Sequence, residues 1–160
     1  MVDPIAHARA VASRVADPEI PVLTIEDLGI LRDVALVDGT IEVTITPTYM
    51  GCPAMNMIAL EIDTELAAAG IAPVRVRLVM TPAWTTDWLS EAGRQKLLAY
   101  GIAPPAPGSG RRALFGDPAV ACPRCGSVLT ETISAFGSTA CKSLHRCRDC
   151  REPFDAFKCH

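Results

Sequence analysis

The first half of the chain alternates between helical and strand-like spacing of its apolar positions. Over residues 5–15 apolar side chains recur every three or four positions, and the pattern stops at Asp17-Pro18, which predicts one amphipathic helix. Two strand-like runs, 30–37 and 40–46, are joined by the turn dipeptide Asp38-Gly39. These patterns predict a helix followed by a β-hairpin with one buried face.

The next segments repeat the alternation. Residues 54–69 are rich in strong helix formers and precede Gly70, so they predict a second helix. Residues 74–80 alternate valine or leucine with arginine, which is typical of a third strand whose arginines face solvent or a partner. Residues 86–100 predict a third helix that ends at Gly101, with Thr86 or Ser90 as its N-terminal cap. The expected fold class is α+β, a small three-stranded sheet covered by helices.

The second half is organised differently. The run from Ala103 to Gly110 is almost entirely proline, glycine, alanine and serine, which is typical of a linker. We therefore expect an α+β domain over 1–102, a linker over 103–119 and a β-rich domain over 120–160. Residues 130–134 and 144–147 could supply the strands of the last domain.

Composition limits the class of protein. The 160 residues contain no run of about eighteen apolar positions and no recognisable signal peptide, so we expect a cytoplasmic protein without a membrane span. Lys and Arg number 7 against 13 Asp and Glu in residues 1–110, and 8 against 5 in residues 111–160. A four-thiolate zinc centre is itself negative, so the basic tail does not require a nucleic-acid partner.

Four cysteines form two Cys-x-x-Cys pairs, a spacing that lets both sulfurs of one tight turn reach the same ion. The predicted ligands are Cys122, Cys125, Cys147 and Cys150. A structural zinc ion is the interpretation this spacing favours, and a mononuclear iron or iron–sulfur centre stays open as an alternative. Because about forty residues with few aromatic side chains make a poor core, the metal is expected to supply much of the folding free energy.

Three further residues near the end of the chain are weaker candidates for metal ligands. Cys141 lies between the two pairs and could replace a member of the second one, while Cys159 and His160 could form a transient site. The alternative is that Cys141 packs near the metal and that the terminal pair binds nothing.

Cys52 stands apart from the other cysteines. It directly precedes the helix predicted over 54–69, and a helix N-terminus lowers the pKa of a thiol. Cys52 is thus a candidate transient ligand for iron or a cluster, with Asp17 and Glu19 as candidate neighbours. Simple packing of the thiol, and capping or solvation of the two acids, are the alternatives.

Several of these segments resemble a known family. The segments Asp17-Pro-Glu-Ile-Pro-Val-Leu-Thr-Ile, Asp27-Leu-Gly-Ile and Thr46-Pro-Thr-Tyr-Met-Gly-Cys-Pro53 resemble the small domain of iron–sulfur assembly factors of the Suf and cytosolic pathways. Across nearly the whole chain, segments such as Thr81-Pro-Ala-Trp-Thr-Thr-Asp-Trp88 and Phe136-Gly-Ser-Thr-Ala-Cys-Lys142 resemble the PaaD or PaaJ family of phenylacetyl-CoA epoxidase components. Ala156 and His160 depart from the pattern of that family.

The resemblance implies an accessory role in aerobic phenylacetate breakdown. The chain lacks the helix-borne Glu-x-x-His pairs of a di-iron oxygenase and the glycine-rich fingerprint of a reductase, so we expect a non-catalytic component. It would assist assembly or delivery of an iron or iron–sulfur centre to partner subunits, particularly the iron–sulfur reductase, with Cys52 as the transient ligand.

Two alternatives stay open at this point. The first is a stoichiometric structural or docking subunit, with Trp84, Trp88 and Tyr100 forming a contact surface and no metal transfer. The second is an enzyme in which Cys52 is a nucleophile, for instance on a CoA thioester. A homo-oligomer is also possible.

Overall fold

The structure, a computed structural model, describes residues 1–105 and 120–158 of the chain. The chain divides into two units, Met1–Trp84 and Thr85–His160. Each unit contains its own sheet.

The first unit has six elements. In chain order they are α1 (Pro4–Ala12), α2 (Ile25–Leu28), β1 (Leu31–Val37), β2 (Thr40–Ile45), α3 (Ala54–Ala68) and β3 (Val74–Leu78). This arrangement confirms the predicted α+β class with a small three-stranded sheet. The short helix α2 was not predicted.

Local side chains start and stop these helices. The carboxylate of Asp3 accepts a hydrogen bond from the backbone N–H of Ile5 and caps α1. A capping box starts α2, because Thr24 and Asp27 each accept the other's backbone N–H through their side chains. Gly29 ends α2 in the left-handed region, at φ 72°.

The sheet of the first unit has the order β1-β2-β3. β1 and β2 are antiparallel and turn at Asp38 and Gly39, whose φ angles of 49° and 78° suit a tight hairpin turn. β3 runs parallel to β2, which requires the crossover through α3. The inward-facing residues of β2, namely Ile41, Val43 and Ile45, are buried, and so are Ile58, Ile62 and Leu66 of α3.

The second unit begins with a short 3₁₀ helix and has a four-stranded sheet. Its elements are the 3₁₀ helix Thr86–Trp88, α4 (Glu91–Tyr100), β4 (Ile102–Ala103), β5 (Thr130–Ser134), β6 (Lys142–Cys147) and β7 (Pro153–Phe157). The sheet order is β4-β7-β6-β5. The separate strand-rich C-terminal region is therefore confirmed, and β5 and β6 lie close to the predicted ranges.

The helix predicted over 86–100 is interrupted. Leu89 has an extended backbone, and Ser90 starts a new helix by accepting the backbone N–H of Gly93 through its hydroxyl. The competing cap explains the interruption, since an N-cap residue adopts non-helical angles. Gly101 ends α4 as predicted, at φ 86°.

The division between the units does not coincide with the predicted boundary after residue 102. Residues 85–105 group with the C-terminal unit, because Ile102 and Ala103 of β4 pair in parallel with Asp155 and Ala156 of β7. Ala103 is thus a strand residue and not part of a linker. The remainder of the predicted linker, 106–119, lies outside the described residues. In the described part of the chain, no helix combines the length and hydropathy needed to cross a membrane.

Candidate metal centre and the Cys52 loop

Two tight turns present the four cysteines of the second unit. After Cys122 and Cys125, Gly126 donates its backbone N–H to the carbonyl of Cys122 at 2.9 Å and adopts φ 76°. Cys147 ends β6, and its backbone N–H donates to the carbonyl of Glu152 at 3.0 Å. Each turn therefore aims two sulfurs in one direction, as the Cys-x-x-Cys spacing predicts.

The four sulfur atoms converge on one point. All four Sγ atoms of Cys122, Cys125, Cys147 and Cys150 lie within 4.8 Å of one another. Between the two turns, Cys122 and Cys150 are 3.7 Å apart and Cys125 and Cys147 are 3.5 Å apart, sulfur to sulfur. A tetrahedral zinc ion with zinc–sulfur bonds of about 2.3 Å separates its sulfurs by about 3.8 Å. The arrangement therefore fits one tetrahedral ion with four soft ligands and no open position.

The surroundings of the cluster shift the pKa values of its thiols in opposite directions. The backbone N–H groups of Cys150 and Asp149 lower the pKa of Cys147 to about 7. The backbone N–H of Glu152 has the same effect on Cys150, but burial and the neighbouring cysteine sulfurs outweigh it and raise the pKa of Cys150 to about 12. Four thiols this close cannot all ionise without a cation between them, so a cation bound there would stabilise the thiolates.

A side-chain hydrogen bond joins the two turns. The hydroxyl of Ser127, just after the first turn, donates to Oδ2 of Asp149 in the second turn at 2.5 Å. The same hydroxyl accepts the backbone N–H of Leu129. Sequence reasoning missed this pair, although Ser127 lies two residues after Cys125 and Asp149 directly precedes Cys150. The bond holds the turns in a fixed register.

The cluster lies against a small core. Cys122 and Cys147 are buried with Ala103, Phe154 and Ala156, while Cys125 and Cys150 are exposed. Two of the four cysteines therefore belong to the interior of the unit. Replacing these cysteines would therefore disturb the small core as well as the metal site.

The structure does not bring Cys141 to the cluster. Cys141 precedes β6 and Cys147 ends it, so the two are separated by about 20 Å of extended chain. Cys141 is buried, and its sulfur lies 3.0 Å from the hydroxyl of Thr139. The expectation that Cys141 packs near the metal is therefore wrong. Cys159 and His160 lie outside the described residues.

In the first unit, Cys52 occupies the loop between β2 and α3. Its half-buried sulfur interacts with the backbone N–H of Ala54 and with the hydroxyl of Tyr49. The charges of Glu19 and Asp17 also act on the thiol, so the structure brings together the three residues that the sequence singled out. Tyr49 was missed, although it stands in the same loop three residues before Cys52.

The predicted lowering of the Cys52 pKa is wrong. Burial raises the pKa of this thiol, and the negative charges of Glu19 and Asp17 raise it further. The Ala54 amide and the Tyr49 hydroxyl lower it, as expected at a helix N-terminus, but their effect is smaller. Cys52 is therefore a protonated thiol near two acids.

Asp17 also has a local structural role. It is buried, and its Oδ1 accepts the backbone N–H groups of Glu19 and Ile20 at 2.7 and 2.9 Å. This turn fixes the backbone that carries Glu19. Both the functional and the capping interpretations of Asp17 are thus compatible with its position.

The aromatic contact surface suggested by the sequence is incomplete. Trp84 is buried, and its indole N–H donates to the carbonyl of Leu28 at 2.7 Å. Trp84 is a core residue of the first unit, whereas Tyr100 is exposed.

Two family models match successive parts of the chain. A model described as an iron–sulfur cluster assembly protein matches residues 6–83 and ends beside the division at Trp84. A model described as the PaaD zinc beta ribbon domain matches residues 106–158, which include all four clustered cysteines.

Individual relatives agree with the family models. The chain is 51% identical, over 94% of its length and 90% of the relative's, to an Escherichia coli protein named as the D component of 1,2-phenylacetyl-CoA epoxidase. It is 35% identical, over 52% of its length and 80% of the relative's, to an Fe-S protein maturation auxiliary factor of Porphyromonas gingivalis. Among solved structures, a DUF59 domain of unknown function from Bacillus anthracis matches with a TM-score of 0.55 and 25% identity, over 59% of this chain and 91% of that one.

Proposed function

Because this chain belongs to the PaaD family of 1,2-phenylacetyl-CoA epoxidase components, we propose that it is an accessory subunit of such an epoxidase that loads iron or an iron–sulfur centre into partner subunits. The first unit would carry the cargo, and the second would be a zinc-stabilised docking module. The clients would be the other components of the epoxidase, particularly its iron–sulfur reductase.

The observation that carries this proposal is the charge environment of Cys52. The negative charges of Glu19 and Asp17 oppose formation of a bare thiolate at Cys52. The same negative charges attract a cation. A metal cation arriving near Cys52 displaces the thiol proton, and a thiolate with nearby carboxylates is a ligand set that iron accepts. Because Cys52 is half-buried, a cargo held there could still reach a partner.

The same environment argues against the enzyme alternative. A nucleophilic cysteine needs a lowered pKa or an adjacent base, and the pKa of Cys52 is raised. The environment of Cys52 therefore suits a metal-binding site better than nucleophilic catalysis.

In the second unit we assign the four clustered cysteines to a structural zinc ion. Four thiolates close the coordination sphere, so the ion has no position for a substrate or a water molecule. The ion would supply folding free energy and not chemistry. The expected cytoplasmic location suits reduced cysteines and stays a prediction.

The proposal is tested by Cys52→Ala in cells that express the epoxidase. The iron content of the oxygenase and reductase components would be measured in cells with the wild-type chain, with Cys52→Ala or with no copy. We expect the Cys52→Ala components to be as poor in iron as those from the deletion, while the variant itself keeps its fold and its zinc.

Met50→Ala is the matched control, because Met50 lies in the same loop and is highly exposed. It should support normal loading. If Cys52→Ala loads the components fully and the deletion does not, the chain acts as a structural subunit without metal transfer.

A further inference from the structure

The number of cysteines limits what the first unit can carry. Cys52 is the single cysteine of residues 1–84, because the other six all lie between residues 122 and 159. Iron–sulfur clusters are generally held by four cysteine thiolates. In the second unit, four cysteines converge on one centre, and the sulfur of buried Cys141 lies 3.0 Å from the hydroxyl of Thr139. The first unit therefore offers a cargo one sulfur, and its other ligands must be oxygen or nitrogen.

The groups around the sulfur of Cys52 are oxygens. The hydroxyl of Tyr49 donates a hydrogen bond to this sulfur, and the charges of Glu19 and Asp17 act on it. An ion with tetrahedral ligands at about 2.3 Å for sulfur and about 2.0 Å for oxygen holds these two atoms about 3.5 Å apart. Hydrogen-bonded oxygen and sulfur atoms lie at a similar distance. An ion that replaces the bridging proton can therefore bond to both atoms without rearrangement of the loop.

The acidic turn is held in place by the backbone. Asp17 is buried, and its Oδ1 accepts the backbone N–H groups of Glu19 and Ile20 at 2.7 and 2.9 Å. These bonds fix the position from which the side chain of Glu19 extends. Glu19, Tyr49 and Cys52 are each half-buried, so a small ion and a client protein can both reach them.

A buried hydroxyl in the same loop is an independent indication of a ligand. Thr46 is the first residue of the loop between β2 and α3, which also carries Tyr49 and Cys52. Its side chain is 1% exposed, and among the described residues its hydroxyl has no hydrogen-bond partner. Such hydroxyls are uncommon in folded proteins and occur where an ion or a water molecule binds. The loop thus combines an unsatisfied oxygen with a thiol and a phenol.

We propose that the cargo of the first unit is a single iron ion, bound by the sulfur of Cys52, the phenol oxygen of Tyr49 and the carboxylate of Glu19. The hydroxyl of Thr46 contacts the ion or one of its bound waters. One soft sulfur among harder oxygens suits Fe(II), whereas a cluster requires more thiolates. As Fe(II) binds, the thiol and phenol protons pass to solvent and no electron is transferred. This inference rests on the proposed function, because it specifies the form of iron that the accessory subunit hands to its client.

The test uses the full-length chain, loaded with zinc so that the four clustered cysteines are occupied. Fe(II) and sulfide are added under anaerobic conditions, and unbound material is removed by gel filtration. We expect the chain to retain one iron ion without acid-labile sulfide, with the Mössbauer spectrum of an isolated ion. After oxidation with ferricyanide, a phenolate-to-iron charge-transfer band should appear in the visible spectrum.

Two substitutions test the oxygen ligands. Tyr49→Phe should abolish the charge-transfer band and weaken Fe(II) binding about tenfold or more. Thr46→Val should weaken Fe(II) binding several-fold without lowering the stability of the chain, because the hydroxyl it removes is unsatisfied. Tyr100→Phe is the matched control, since Tyr100 is the other tyrosine of the chain and is exposed. It should keep both the band and the affinity.

The proposal is overturned if the chain retains sulfide together with iron, because the cargo is then a cluster. It is also overturned if the oxidised wild type shows no phenolate band, or if either Tyr49→Phe or Thr46→Val binds Fe(II) like the wild type.

Loading of the client separates this inference from the proposed function. If loading in cells depends on Cys52 but the purified chain takes up a cluster, the proposed function stands and this inference fails. If the chain binds a single iron ion through Tyr49 but Cys52→Ala loads the components fully, the iron site stands and the proposed function fails.

Discussion

The two units of the chain bury their interiors by different means. In the first unit the helices and the sheet enclose large aliphatic side chains such as Leu23, Ile58 and Leu66, which are fully buried. Among the described residues of the second unit, Leu97 is the one comparably large side chain that is fully buried, and the core beside the cysteines contains Ala103, Ala156 and Phe154. The first unit thus has the larger apolar core, and the interior of the second combines a few apolar side chains with the sulfur cluster.

This difference has a physical reason. Apolar burial contributes roughly 25 cal/mol per Å², so an interior with small side chains gains less from it. A metal with four thiolates replaces many apolar contacts in one step. We therefore expect that one unit can unfold while the other stays folded.

The largest expected effect is loss of the metal from the second unit. Cys147→Ser removes a buried sulfur from the cluster, and structural zinc sites contribute on the order of 10 kcal/mol of folding free energy. We expect the variant to lack zinc and to lose the amide chemical-shift dispersion of the second unit, while the first unit keeps its spectrum. Metal analysis and two-dimensional NMR measure both.

Cys141→Ser is the control for that experiment, since Cys141 is also buried but lies at the other end of β6. It should keep one zinc per chain. If both units unfold in Cys147→Ser, the two units do not fold independently of each other.

A smaller effect is expected from the core of the first unit. Ile58→Ala leaves a cavity at a fully buried position of α3 and should cost about 2–5 kcal/mol in unfolding free energy. Leu60→Ala, on the exposed side of the same helix, should cost much less. Urea denaturation gives both values. Equal losses in the two variants, or release of zinc from Ile58→Ala, would argue against an independently packed first unit.

The smallest effect concerns the link between the two cysteine turns. Ser127→Ala removes the exposed hydrogen bond to Asp149 and should cost about 0.5–1.5 kcal/mol. We expect zinc to pass to a competing chelator several-fold faster than from the wild type. Ser138→Ala, which removes a hydroxyl bonded to Asp155 in the same unit, should leave the transfer rate unchanged. Similar acceleration in both variants would mean that Ser127 has only a general stabilising role.

Features set by near neighbours in the chain were predictable. The β1–β2 turn at Asp38-Gly39, the end of α4 at Gly101 and the convergence within each Cys-x-x-Cys turn depend on residues a few positions apart. Their hydrogen bonds and backbone angles are local, so residue type and spacing suffice to predict them. The sequence offered Thr86 and Ser90 as alternative caps of the third helix, and residue type alone could not choose between them because both are good N-cap residues.

Tertiary structure decided what depends on the path of the chain. The pairing of β4 with β7 joins residues about fifty positions apart, and no periodicity in either segment indicates it. The pKa of Cys52 likewise depends on the balance between nearby helix amides, burial and the carboxylates of Asp17 and Glu19, which a separate loop brings close. The sequence determined that a thiol and two acids are present, but only folding determined the direction in which the pKa of that thiol shifts, because burial and distance arise from packing.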